Sequence, residues 1–217
     1  VSKIMQHRLI KRGGVKLLVL LPSAIKRVDP PNPYYARISW HASLPIQYDC
    51  LYLSDPYFNE TRSFGGSWFI SSINNNEGLN TIKECILKYS VDYDSVTIYG
   101  SSMGGYAALA LSNNGYHRII AECPQIYLDR YPDSANYLKS ISLDVDKTYD
   151  INKILCSNVS NSHVDIYVNT SDHHHVDAHI LPFYGAISRA KRPNLHIIDY
   201  GQAGHVGMSK ETLCSLL

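Results

Sequence analysis

The sequence predicts an α/β protein of three layers, with a mostly parallel sheet of about six to seven strands and helices on both faces. Three observations carry that reading. Short apolar runs recur along the chain and alternate with longer stretches of helical periodicity. At 217 residues, 45% hydrophobic and 18% charged, the chain suits a single domain with a substantial core. Residues 95–105 read as a strand, a tight glycine-rich turn and a helix in immediate succession.

The elements follow in order. Residues 1–12 are expected to add an antiparallel edge strand. Residues 16–21, Lys-Leu-Leu-Val-Leu-Leu, form the first buried strand, and Pro22 ends it. Residues 49–53 form the second, closed by Ser54-Asp55-Pro56. Residues 77–89 fit a helix with Leu79, Ile82, Ile86 and Leu87 on one face. The third strand spans 95–99, and its outgoing helix, 103–111, stops at Asn113-Asn114-Gly115. The fourth spans 118–122. Residues 123–162 then lack a clear strand and read as a lid or substrate-wall insertion holding two short helices. The fifth strand, 164–168, leads into a helix over 176–190. The sixth, 195–199, leads into a glycine-rich loop and a short terminal helix. No internal repeat or linker divides residues 1–217, so one domain is expected.

The turn at Gly100-Ser101-Ser102-Met103-Gly104 has the spacing Gly-x-Ser-x-Gly. A serine held between strand and helix is forced towards positive φ, and the residues two positions either side must be small. For Ser102 those neighbours are Gly100 and Gly104; for Ser101 they would be Tyr99 and Met103. Ser102 is therefore the expected nucleophile, and Gly105 lets the helix approach the sheet closely.

A serine hydroxyl needs a histidine to take its proton and a carboxylate to orient that histidine. In an open parallel sheet such groups gather beyond the carboxyl ends of strands. His205, in the loop Gly201-Gln202-Ala203-Gly204-His205-Val206-Gly207, is the expected base. Asp172, just past the fifth strand, is the expected acid; Glu122, at the end of the fourth, is its rival. Asp165, Asp177 and Asp199 are worse placed. Met103 N–H is expected to stabilise the oxyanion, with a second donor from Ser23 or Ala24, because Pro22 has no N–H.

These residues resemble the α/β-hydrolases across roughly residues 15–217: the elbow at 100–104, the acid loop ending at Asp172, and the Gly204-His205 loop, in the chain order Ser102, Asp172, His205. The resemblance implies a three-layer α/β-hydrolase fold and a serine esterase, lipase, thioesterase, peptidase or acyltransferase working without a cofactor. The early oxyanion loop departs from the family's His-Gly-rich motif, and the short N-terminal region implies a reduced sheet. Ala36-Arg37-Ile38-Ser39-Trp40, Ser54-Asp55-Pro56 and Gly66-Ser67-Trp68 are similar to small hydrolase-like proteins of bacterial surface polysaccharide or glycoprotein export. That likeness favours an acylated sugar as substrate.

Other features narrow the classes. A net charge of +1 gives no reason to expect a nucleic-acid or membrane-surface partner, and no apolar run is long enough to span a bilayer. No phosphate-binding or dinucleotide-binding glycine motif occurs. The 5 cysteines (Cys50, Cys85, Cys123, Cys156 and Cys214) form no C-x-x-C pair, so reduced thiols and a cytoplasmic location are expected. The run His173-His174-His175 with His179 is not read as a metal site, because adjacent histidines point in different directions. His173, Trp40 and Trp68 are candidates to line a substrate pocket, with core packing the alternative for the tryptophans. The primary expectation is a serine hydrolase cleaving a small-molecule or glycan ester. The alternatives are an acyltransferase on the same three residues, or a non-catalytic hydrolase-like binding or assembly protein.

Overall fold

In the computed structural model, the described residues are 5–27, 29–71, 77–157 and 162–217. Of the stretches considered above, residues 1–4 and 158–161 lie outside them. The strands are β1 (His7–Ile10), β2 (Lys16–Leu20), β3 (Tyr48–Leu53), β4 (Ser95–Ser101), β5 (Arg118–Glu122), β6 (His163–Asn169) and β7 (Asn194–Ile198). They form a 7-stranded sheet in the order β1-β3-β2-β4-β5-β6-β7. Only β1 runs antiparallel, against β3, so the expected edge strand is present. The chain winds first towards β3 and then the other way from β2 to β4. Ligand crevices of open α/β sheets form beyond the strand ends where the order reverses in this way.

Alternate residues of the central strands feed two apolar layers. Leu17, Val19, Ile98, Ile119 and Ile166 face one side; Leu18, Leu20, Tyr99, Ile120 and Tyr167 face the other. The first layer is the larger. It is covered by the helices α2 (Glu77–Ser90), α3 (Met103–Ala110), α4 (Pro132–Ser140), α5 (Ile151–Cys156) and α7 (Leu181–Ala186). The helix α1 (Phe58–Thr61) is a single turn, and α6 (His173–His175) opens the segment that leads to α7. The second layer is closed by the segment around Ile38, Trp40 and Leu44 and by α8 (Lys210–Leu216). Every residue of α3 is buried, which its glycines and alanines permit. No helix among the described residues is long and apolar enough to cross a membrane.

Two helices depart from the expected pattern. The buried face of α2 is made by Leu79, Ile82, Cys85 and Ile86, whereas Leu87 points outward at 47% exposure. The helix expected over 176–190 begins at His173, runs through a π-helical turn over Val176–Ile180, and ends with α7 at Ala186. Pro182 explains the π-turn: it has no N–H to donate to the Ala178 carbonyl one turn earlier. The Arg130 guanidinium donates to that carbonyl at 3.0 Å.

Candidate active site

The turn between β4 and α3 is built by close approach. Ser102 joins β4 to α3 at φ 57° and ψ −114°, the positive φ that its glycine neighbours imply. A Cβ on Gly100 would stand 2.1 Å from the Gly104 carbonyl oxygen, and one on Gly104 would stand 2.8 Å from that of Pro22. Neither position admits a larger side chain. Ser102 N–H donates to the Glu122 carbonyl at 2.9 Å, which ties the turn to the end of β5.

From this turn the Ser102 hydroxyl faces His205. Oγ lies 3.0 Å from His205 Nε2, and His205 Nδ1 lies 2.7 Å from Asp172 Oδ2. Asp172 is 3% exposed, while the His205 ring keeps 31% of its surface open. Asp172 also caps α6, its Oδ1 accepting the His175 backbone N–H at 3.3 Å. Burial alone would raise the Asp172 carboxyl. The hydrogen bonds from His175 and then His205 outweigh burial and hold it well below the usual carboxylate range.

The loop carrying His205 is held at both ends. Before it, Asn169 Nδ2 donates to the carbonyls of Gln202 at 2.8 Å and Gly204 at 3.0 Å. After it, Met208 N–H donates to the buried carboxylate of Glu122. Glu122 also accepts from Tyr99 Oη at 2.6 Å and Arg37 Nη2 at 3.3 Å. The rival acid thus binds the loop's backbone beyond His205, and the His205 ring hydrogen-bonds Asp172. Asp165 is engaged by Arg118 and His196, and Asp199 by Gly201 N–H. The roles of Asn169 and Glu122 had no local signal beyond their place at strand ends.

The remaining candidates separate cleanly. Met103 opens α3, so its N–H has no carbonyl a turn earlier inside the helix to bond. The Pro22 carbonyl packs at Gly104, so the loop carrying Ser23 and Ala24 runs beside the start of α3. A cavity of about 570 Å³ opens beside His205, lined among others by Tyr131, Asp133, Ser171, His173 and His174. His173 lines this cavity. Trp68 does not: it is fully buried, stacks on Tyr137 and donates to Gln125 Oε1 at 2.5 Å. Trp40 lies under the Arg37 guanidinium and packs on the smaller apolar layer. Both tryptophans pack on apolar layers, Trp68 fully buried and Trp40 partly so.

Cys123 Sγ, Asp172 and His205 offer ligand-type atoms within 4.8 Å of one another. Burial pushes the Cys123 thiol up. The closeness of the other two is the hydrogen bond already described.

No protein-family profile and no curated protein sequence matches the chain. Solved structures do. The capsule O-acetyltransferase of Neisseria meningitidis serogroup A superposes with a TM-score of 0.71 at 21% identity, covering 92% of this chain and 84% of that one. A mutant of that enzyme in complex with CoA also has a TM-score of 0.71, at 20% identity over 97% of this chain and 91% of that one. Acetyl xylan esterase 1 from Thermoanaerobacterium has a TM-score of 0.58 at 15% identity, covering 98% and 77%. With its reversed strand order, its serine elbow and these likenesses, the chain has the α/β-hydrolase fold.

Proposed function

We propose that the chain is a serine acyltransferase that moves an acyl group from a thioester donor to a carbohydrate hydroxyl. The observation that carries the reading is the hydrogen-bonded chain Ser102–His205–Asp172, with Ser102 on its strained elbow. Such a chain serves both hydrolysis and transfer. Transfer is favoured by the likeness to an O-acetyltransferase, including a CoA complex, at a higher TM-score than the esterase. A cavity of about 570 Å³ lined by His205 offers room for an acceptor beside the base.

In this mechanism His205 Nε2 takes the Ser102 proton as Oγ attacks the acyl carbonyl. Met103 N–H, with Ser23 or Ala24 N–H, stabilises the oxyanion. The tetrahedral adduct collapses, His205 passes its proton to the departing sulfur, the thiol leaves, and the acyl group stays on Ser102. An acceptor hydroxyl then gives its proton to His205 and attacks the acyl-serine. Collapse of the second adduct releases the new ester and returns the proton to Ser102. Asp172, held ionised, stabilises the imidazolium in both halves.

Hydrolysis is the second reading, and the 31% exposure of the His205 side chain favours it, because water can reach the base. The test combines a fluorophosphonate probe with acetyl-CoA and a panel of de-O-acetylated oligosaccharides. The proposal expects labelling that is lost in Ser102→Ala and His205→Ala, and acetylated sugar detected by mass spectrometry. CoA release at one rate with and without sugar, and no acetylated sugar, would make the protein a hydrolase. A folded protein that takes no label would instead be a binding or assembly protein.

A further inference from the structure

Asp172 accepts hydrogen bonds from two imidazoles. Oδ2 faces His205 Nδ1 at 2.7 Å, and Oδ1 faces His175 Nδ1 at 3.0 Å. The two rings lie flat against each other, with centroids 4.0 Å apart and planes 4° from parallel. We propose that His175 is a positioning residue for the Asp172–His205 pair. Its Nδ1–H holds one carboxylate oxygen, and its ring face sets the plane of the His205 imidazole. The inference rests on the reading of Ser102, His205 and Asp172 as the reacting group.

A carboxylate that meets a single histidine can rotate and offer either oxygen. With Oδ1 held by the backbone and ring N–H groups of His175, only Oδ2 is left for His205. The His205 ring is otherwise partly exposed and held by loop backbone, so a flat neighbour restrains its rotation. His175 is itself locked: it is fully buried, with Tyr131 at 5.6 Å and His179 at 5.1 Å between ring centroids.

The tautomer follows from the same contacts. An ionised Asp172 can only accept, so His175 Nδ1 carries the proton. His175 Nε2 is buried with no hydrogen-bond partner among the described residues. A protonated Nε2 there would be a stranded donor and a second buried charge, which burial disfavours. The ring therefore stays neutral when His205 becomes an imidazolium, and two stacked cations are avoided.

The test uses two replacements that divide the ring from the donor. His175→Phe keeps a flat face and removes the N–H; His175→Asn keeps an N–H near the Nδ1 position and removes the ring. Fluorophosphonate labelling rates, and kcat and KM for p-nitrophenyl acetate, are followed against pH, with melting curves as the folding control. His175→Phe should slow labelling and kcat by about 10- to 100-fold with KM unchanged, the scale of one hydrogen bond to a charged group. His175→Asn should cost about threefold, the scale of a ring contact. The pH midpoint should move in His175→Phe; His175→Leu takes its place if that variant does not fold. Wild-type rates and midpoints in both folded variants would overturn the proposal.

Nitrogen-15 spectra of the ring nitrogens give a reading independent of activity. They should show His175 protonated at Nδ1 only, and the His205 Nδ1–H signal displaced in His175→Phe. A His175 protonated at Nε2 in the wild type would overturn the proposal. Absence of labelling in the wild type would overturn the serine reading and leave these spectra to decide the role of His175.

Discussion

Glu122 binds the backbone of Met208, just beyond His205, and in doing so fastens the histidine loop to the end of β5. The same carboxylate meets Arg37 and Tyr99 in a fully buried setting. Asn169 does the equivalent work from the end of β6. Two neighbouring strands thus set the height of one loop, and with it the distance from His205 to Ser102.

This arrangement separates the two acidic candidates by experiment. Asp172→Asn should lower kcat by on the order of 10³- to 10⁴-fold, through loss of the imidazolium's partner and its tautomer. Its effect on melting should be smaller. Glu122→Gln should do the reverse. It leaves Arg37 without its buried counter-ion and should cost about 3 kcal/mol of stability, with less than about tenfold lost in kcat while the protein is folded. Denaturant melts and p-nitrophenyl acetate kinetics on both variants decide. A Glu122→Gln protein of full stability and no activity would return the acid role to Glu122.

Gly100→Ala tests the elbow. The added methyl would stand 2.1 Å from the backbone oxygen of Gly104, and neither strand nor helix can give way. We expect a loss of about 3 kcal/mol or more and no fluorophosphonate labelling. Wild-type melting and labelling would show that the close approach at Gly100 is not required.

Acid should weaken the fold through His179. Burial, then the neighbouring His175 and His174, push its pKa from the ordinary 6.5 down to about 3. Between those values the unfolded chain binds a proton that the folded one refuses. The stabilising contribution is therefore complete above pH 6.5 and is lost as pH falls towards 3. At pH 5 the loss should be about 2 kcal/mol relative to neutral pH. His179→Phe should flatten the fall in melting temperature between pH 7.5 and 5, measured by calorimetry. Asp172 adds a loss only below about pH 4, since its own pKa is depressed.

Trp68 should behave as core. Trp68→Leu is expected to cost about 3 kcal/mol, from lost packing on Tyr137 and a stranded Gln125 carbonyl, with KM for a small ester unchanged. A raised KM at full stability would instead place the indole in the substrate pocket.

What could be read along the chain was whatever depends on neighbours in sequence. Leucine-rich and β-branched runs mark strands, and the sterics of Gly100 and Gly104 select Ser102 and its positive φ. The rule that reactive groups lie beyond strand ends was enough to single out His205 with two acidic candidates, Asp172 and Glu122. It could not separate Asp172 from Glu122, because both sit at the ends of adjacent strands. Only the packed structure shows one carboxylate on the His205 ring and the other on the backbone beyond it.

The sequence by itself determined the α/β layering, the elbow and the chain order of Ser102, Asp172 and His205, since each follows from local sterics and periodicity. Tertiary structure alone decided the burial of Trp68, the π-turn before Pro182 with its Arg130 partner, and the His175 ring laid flat on His205. Those depend on contacts between segments far apart in the chain, where the energy of a side chain is set by what packs against it.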